Sequence, residues 1–410
     1  MSRAPHYPEY KDSGLGWVGE VPAHWTVVPT RTALNQVKRT VGASWSQTVL
    51  LSLTKRGVIV RDVSTGEGKF PTSFEDYQLV LPNELVFCLF DMDETPRTVG
   101  LARQKGMVTG AYTCFSINQE IAEPRFLDWY FLAIDEGKRL RPLYTGLRKV
   151  IQKPRFLSAG MALPPLPEQR DIADYLDRET TRIDTLIRKQ EHLIEMLRER
   201  RAAIRDRHFV STADKRKTSV RRVLVPLTRP AKPGLGVVTA YRDGVVTLRS
   251  KRRDEGYTFS DTEHGYQEVC PGDLVFHALD GFAGAVGISD SHGNATPVYH
   301  VCRTSTDDEP EYVAMLLRYL GVSGFLATQA PNVRQRSVDF RNWATFARVP
   351  LELPDPEIQR MVVRDIRQQT AKIDLLISKT ERFIELAKER RSALIAAAVT
   401  GHVDVWQAAA

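Results

Sequence analysis

The sequence predicts an α/β protein in which two repeated mixed α/β domains are joined by two long antiparallel helices related by a pseudo-two-fold. Three observations carry that prediction: an ungapped internal repeat, a long amphipathic stretch within each copy, and short β-type runs ahead of each stretch. The repeat weighs most, because self-similarity at a fixed period decides architecture before local propensity does. Residues 183–203 and 373–393 align at an offset of 190 with 12 of 21 positions identical, among them Ile183/Ile373, Leu186/Leu376, Ile187/Ile377, Ile194/Ile384 and the Glu-Arg-Arg runs 199–201 and 389–391. The match extends back through Gln169-Arg170 and Gln359-Arg360 to Leu163-Pro164 and Leu353-Pro354. Weaker echoes lie upstream. YQLVLPNELVF from Tyr77 mirrors YQEVCPGDLVF from Tyr266, and Val99-Gly100, Gly106, Thr109 and Tyr112 recur as Val286-Gly287, Gly293, Thr296 and Tyr299. The whole unit is duplicated, with small loop insertions.

The amphipathic stretches predict the helices. From Glu168 to Arg207, Leu176, Ile183, Leu197 and Ile204 fall at multiples of seven, with Ile172, Leu186 and Leu193 three places on and Ile187 and Ile194 beside those. Such spacing marks a wide apolar stripe on a helix. The second copy repeats it with Ile366, Ile373 and Leu394, then Val362, Leu376 and Phe383, then Val363, Ile377 and Ile384. Gln190 and Thr380 place a polar residue at the same point in both seams, and Pro167 and Pro356 stand at the helix starts, where a missing N–H costs nothing. Forty helical residues make a rod of roughly 60 Å. Two facing stripes predict that the helices pack on each other, running antiparallel if the copies obey a two-fold.

Ahead of each helix lie short runs rich in β-formers: Thr48 to Leu53, Gly57 to Val60, Leu85 to Phe90, Gly244 to Leu248 and Leu274 to Phe276, broken by Gly and Pro. Short helices are predicted at Pro124 to Lys138 and Pro310 to Leu320. The resulting division is an N-terminal segment (1–25), a first mixed domain (26–162), a first long helix (163–210), a second mixed domain (211–352), and a second helix with a tail (353–410).

Bulk properties bound the function. A chain of 410 residues exceeds one ordinary core, and 42% hydrophobic with 26% charged residues describes a globular protein without an apolar run long enough to span a bilayer. The start MSRAPHYPEYKDSG lacks the apolar segment of a secretory signal, and Cys88, Cys114, Cys270 and Cys302 form no C-x-x-C pair, so the cytoplasm is the expected compartment and zinc is not expected. The net charge is +7, and its distribution is uneven. Residues 211–253 hold twelve Lys/Arg against Asp214 and Asp243, and residues 31–61 hold six with no acid. Basic openings at matching places favour a polyanionic partner over a merely solvated face.

Catalytic signatures are missing. The chain has no G-x-x-x-x-G-K-[ST] loop, H-E-x-x-H helix, G-x-S-x-G elbow or [DNS]-P-P-[YFW] tetrapeptide. The glycines of Gly281 to Gly287 read as a turn. His192 and Glu195 share a helix face without a third ligand, and Asp91/Asp93 and Asp307/Asp308 lie in loop-like sequence without partner motifs. The chain is therefore expected to be non-catalytic and to hold no metal.

Four segments together resemble the specificity subunit of type I restriction-modification enzymes: YKDSGLGWVGEVPAHW from Tyr10, LPPLPEQRDIADYLD from Leu163, the two IDxLI helices, and ALIAAAVTGHVDV from Ala393. The resemblance covers essentially the whole chain. It implies that each mixed domain is a target-recognition domain for one half of a split DNA sequence, and that the helices are a spacer on which two methyltransferase subunits dock. It implies no cofactor for this chain, with S-adenosylmethionine, ATP and Mg²⁺ belonging to partner subunits that methylate adenine and, where motor-nuclease subunits join, cut DNA. The second junction departs from the pattern, reading LPDPEIQR from Leu353.

Two recognition domains fixed on a rod would read half-sites about one helical turn apart on double-stranded DNA. Lys55 and Arg242 align beside turns at Gly57 and Gly244, which makes Lys55, Arg56, Arg242 and Arg249 the leading DNA contacts, followed by Arg148 and Lys149 before the first junction and Arg334 and Arg336 before the second. Ile183, Leu186, Ile187, Ile194, Ile373, Leu376, Ile377 and Ile384 are the expected spacer and docking residues. Two other readings stay open: a stand-alone two-domain DNA-binding or architectural protein, and a nuclease with an unrecognised site.

Overall fold

Short strands bounded by Gly, Pro and Asn turns, each alternation closed by one long helix, make up both halves of the computed structural model, which describes residues 6–61, 73–210, 214–252, 265–330, 333–334 and 337–408. The chain divides into two compact units, Met1–Glu191 with Arg382–Ala410, and His192–Glu381. The first unit runs through β1 (Tyr10–Asp12), β2 (Glu20–Pro22), β3 (Thr26–Pro29), β4 (Leu34–Val37), β5 (Leu51–Thr54), β6 (Gly57–Val60), β7 (Gln78–Val80), β8 (Leu85–Phe87), β9 (Val99–Leu101), β10 (Gly106–Val108), β11 (Thr113–Ile117), α1 (Pro124–Glu136), α2 (Lys153–Ser158), β12 (Gly160–Leu163) and the start of α3 (Leu166–Val210). An antiparallel sheet of order β4-β11-β8-β9 forms its centre, β5–β6 and β7–β10 pair in twos, and β12 pairs with β3 just ahead of α3.

The second unit follows the same order. It holds β13 (Arg216–Ser219), α4 (Val220–Val223), β14 (Leu224–Pro226), β15 (Val238–Ala240), β16 (Val246–Leu248), β17 (Gln267–Val269), β18 (Leu274–His277), β19 (Val286–Ile288), β20 (Gly293–Ala295), β21 (Tyr299–Thr304), α5 (Pro310–Val322), α6 (Phe325–Gln329), β22 (Val333–Arg334), β23 (Ser337–Val338), α7 (Trp343–Phe346), β24 (Pro350–Leu353) and the start of α8 (Pro356–Val399). Its sheet order is β14-β21-β18-β19, with β15–β16 and β17–β20 in twos and β24 pairing with β13 just ahead of α8. The tail helix α9 (Val405–Ala408) belongs to the first unit. The sequence echoes thus fall on matching elements, and the predicted short helices are α1 and α5.

The recurring Val-Gly pair has a steric cause. A Cβ on Gly287 would lie 2.2 Å from the Gly244 carbonyl oxygen, and one on Gly100 would lie 3.0 Å from Val58, so glycine lets the β15–β16 and β5–β6 hairpins press against β19 and β9.

Each long helix is tied to its unit by an equivalent buried glutamine. Gln169 accepts from the Glu123 N–H at 2.9 Å and donates to the Ile121 and Pro164 carbonyls at 3.0 and 2.9 Å. Gln359 accepts from the Glu309 N–H at 3.0 Å and donates to Asp308 and to the Pro354 carbonyl at 2.6 and 2.8 Å. Glu123 and Glu309 are the N-cap residues of α1 and α5 and make no side-chain cap, so each glutamine satisfies the backbone there. One residue earlier the copies diverge. Glu168, 1% exposed, gathers Tyr7 Oη (2.7 Å), Trp25 Nε1 (2.9 Å) and His24 Nε2 (2.8 Å), while the matching Ile358 packs against the apolar core of the second unit. The departure at the second junction is explained by this: only the first unit carries the N-terminal segment, whose Tyr10 also donates to the Gly401 carbonyl at 2.9 Å.

Within each unit the helix segments run antiparallel. In the first, Ile172, Ala173 and Leu176 share a core with Ile395, Ala398 and Val399, and Arg391 Nε lies 2.9 Å from Asp184. In the second, Arg201 pairs with Asp374 at 2.6 Å and Arg198 with Glu381 at 3.2 Å. The buried seam is narrower than the sequence stripe. Ile187, Ile194, Ile373, Ile377 and Ile384 are buried and Ile183 is half-buried, but Leu186 is 40% and Leu376 51% exposed, with Leu193 and Phe383 exposed beside them. A helix meeting one helical partner covers only a 3–4 spaced strip, so the flanking leucines stay outside. Thr380 enters the seam by turning its hydroxyl back to the Leu376 carbonyl at 2.8 Å.

Candidate nucleic-acid interface

The matching hairpins each carry exposed cationic side chains. In β5–β6 the Thr54 hydroxyl donates to the Gly57 carbonyl at 3.0 Å and accepts from the Arg56 N–H at 3.1 Å, and Gly57 takes φ +94°, which closes the turn and leaves Lys55 and Arg56 projecting into solvent. Among the described residues no carboxylate lies within ion-pairing distance of either side chain. In β15–β16 the Tyr241 N–H donates to the Val245 carbonyl at 2.8 Å and Gly244 takes φ +90°. Arg242 sits at the tip, bonded to Asp280 at 2.9 Å, and Arg252 pairs with Asp243 while its guanidinium lies 4.4 Å from the Tyr241 ring centroid. Arg249 follows β16 and is half-buried.

Arg148 and Lys149 occupy a second cationic turn in the first unit. Arg148 forms a two-point pair with Asp91, Nε to Oδ1 at 3.1 Å, and stacks 5.4 Å from Phe90. Arg148 hydrogen bonding holds the Asp91 carboxyl below the usual range. Leu147, at the turn's tip, is 98% exposed. Arg334 lies on β22, and Arg336 falls outside the described residues.

The basic opening of the second unit is less free than its composition implies. Arg216 meets Asp308, Arg229 meets Asp273, Lys232 meets Glu268 and Lys251 meets Asp290, in addition to the Arg242 and Arg252 pairs. Carboxylates from later segments neutralise much of it, a pairing that local charge counting misses. The paired acids noted in sequence are likewise engaged: Asp93 with Arg141 at 3.0 Å, Asp308 with Arg216 and Gln359. His192 and Glu195 are exposed, 3.5 Å apart. Gly281 to Gly284 form a tight turn with Gly284 at φ +94°, whereas Gly287 lies within β19, so only the first part of the glycine run is a turn. Among the described residues no helix is long and apolar enough to cross a membrane.

Two mixed α/β units of identical strand order, each closed by half of a long helix pair, define the fold class. Solved structures of type I restriction-modification proteins share it. A chain in a structure on the assembly and conformational transition of the type I R-M system matches with a TM-score of 0.67 and 13% identity, over 92% of this chain and 98% of that one. The HsdS subunit of Thermoanaerobacter tengcongensis matches with a TM-score of 0.52 and 14% identity, over 93% and 98%. No protein-family model matches the sequence, nor does any curated protein.

Proposed function

We propose that the chain is the DNA-recognition subunit of a type I restriction-modification complex. Each unit reads one half of a bipartite duplex target, and the long helices dock two methyltransferase subunits. The observation that carries this reading is the coincidence, in both units, of a cationic hairpin at the same topological position with the shared fold of the HsdS subunit. Phosphate contacts from Lys55, Arg56 and the Arg148-Lys149 turn position the first unit, and Arg242, Arg249 and Arg334 serve the second. The docking face comprises the apolar residues that the helix seam leaves outside, led by Leu186 and Leu376. The chain itself is non-catalytic on this reading; S-adenosylmethionine, ATP and Mg²⁺ act in its partners, with motor-nuclease subunits joining where the complex cuts DNA.

The test is a comparison of the host methylome with and without the gene. Loss of N6-methyladenine at one split motif is expected, and an unchanged methylome would favour the stand-alone DNA-binding reading.

A further inference from the structure

β17 and β20 pair with Glu268 opposite Asn294 and Val269 opposite Gly293, which places Cys270 and His292 as the next pair across the ladder. Side chains alternate along strands, so Glu268 and Cys270 share a face, and His292 joins them there. The carboxylate, thiol and imidazole ligand atoms all lie within 4.8 Å of one another. Further contacts hold the group in place. The Cys270 N–H donates to Asp273 at 2.7 Å, and Glu268 lies 2.8 Å from His292 Nε2. Asn294 exchanges two hydrogen bonds with the Lys232 backbone, at 3.1 and 2.8 Å, and so delivers the Lys232 ammonium to Glu268 at 2.7 Å. The site therefore already gathers a cation against a nearly buried carboxylate.

The shared fold does not demand these residues. The first unit pairs the equivalent strands with Leu79, Leu81 and Lys105 at the matching positions, and none of the three could ligate a metal as thiolate, imidazole or carboxylate. At these positions the three ligand types stand only in the second unit, where the pairing of distant strands brings them together.

We propose that Glu268, Cys270 and His292 form a binding site for a borderline-soft divalent cation of the zinc type. A thiolate and an imidazole select zinc or cobalt over magnesium or calcium, which want oxygen ligands. Bonds of about 2.0–2.3 Å space tetrahedral ligand atoms roughly 3.5 Å apart, which small side-chain rotations reach from the present geometry. On binding, the metal replaces Lys232 as the counter-charge of Glu268, the Cys270 thiol gives its proton to solvent, and His292 gives up the Nε2 proton it shares with Glu268, so that the freed Nε2 lone pair turns to the ion while Nδ1 carries the ring's remaining proton. Three protein ligands leave a fourth position for water. The Lys232 ammonium, more than half exposed, is free to swing away.

Cobalt titration of the metal-stripped full-length chain tests this directly. The expected result is a saturable, one-equivalent thiolate-to-cobalt charge-transfer band with the d–d absorption of a tetrahedral ion, displaced by Zn²⁺. Cys88, Cys114 and Cys302 are buried, so they do not compete. Cys270→Ser is expected to remove the charge-transfer band and His292→Ala to weaken binding, while Lys232→Met, which deletes the competing ammonium and leaves all three ligands, tightens it. Absence of a saturable band in both the wild-type chain and Lys232→Met would overturn the proposal. So would bands that persist unchanged in Cys270→Ser.

Discussion

Asp308 is a residue where local chemistry has a reading in bulk. Burial pushes its carboxyl upward, but hydrogen bonds from Arg216, Thr306 and Gln359 outweigh that and hold it below the usual carboxylate range. A depressed folded-state value contributes stability that is fully present above the unfolded value, near 3.9, and is lost as pH falls through the folded value. Urea unfolding from pH 7 to 2 is therefore expected to show part of the acid loss of stability disappearing in Arg216→Met, which is weaker at pH 7 but flatter below about pH 4; a parallel curve would exclude the pair as a source. Lys55 and Arg56 make the matching prediction for DNA. Their double alanine variant is expected to lower the slope of log affinity against log salt by about 0.9 for each phosphate no longer neutralised, with no shift in thermal midpoint, as read by fluorescence anisotropy at several salt concentrations. At this scale the sequence was informative about position and silent about partners. Lys55 and Arg242 align, yet only the folded chain sets Asp280 beside Arg242, because the carboxylates that neutralise a turn come from segments far along the chain. Gln169 and Gln359 stand out in the repeat, but their role as buried amides bridging helix and domain depends on partners some fifty residues away.

At the scale of elements, the two long helices separate a structural face from an available one. Truncating Ile377 removes a buried side chain, and Ile377→Ala is expected to cost about 2–5 kcal/mol in chemical denaturation. Leu376 is its neighbour in sequence and half-exposed, so Leu376→Ala is expected to stay within about 0.5 kcal/mol while weakening copurification with methyltransferase subunits. Equal stability losses would place both residues in the seam. The helices themselves were legible from the repeat of isoleucines and from the prolines at their starts. The width of the seam was not, because periodicity reports which residues share a face and not how much of that face a neighbour covers. Strand pairing shows the same limit. The hairpin β5–β6 could be read from its turn, but the pairing of β17 with β20, which assembles Glu268, Cys270 and His292, joins segments whose separation hides their proximity.

For the whole molecule, duplication is the organising fact: two units with one strand order, each holding half of both long helices. Self-similarity in the sequence was enough to give the fold class, since residues that match at a constant offset must meet matching environments. What it left out are the places where the copies have parted, Glu168 against Ile358 and Glu268 against Leu79, and these go with what each residue meets in its own unit. If each unit reads its own half-site, recognition is modular. The decisive experiment exchanges residues 26–162 for the corresponding domain of another protein of this fold and sequences the resulting methylome. Modular reading requires that one half of the split motif changes and the other half is retained; a motif altered in both halves, or in neither, would rule it out.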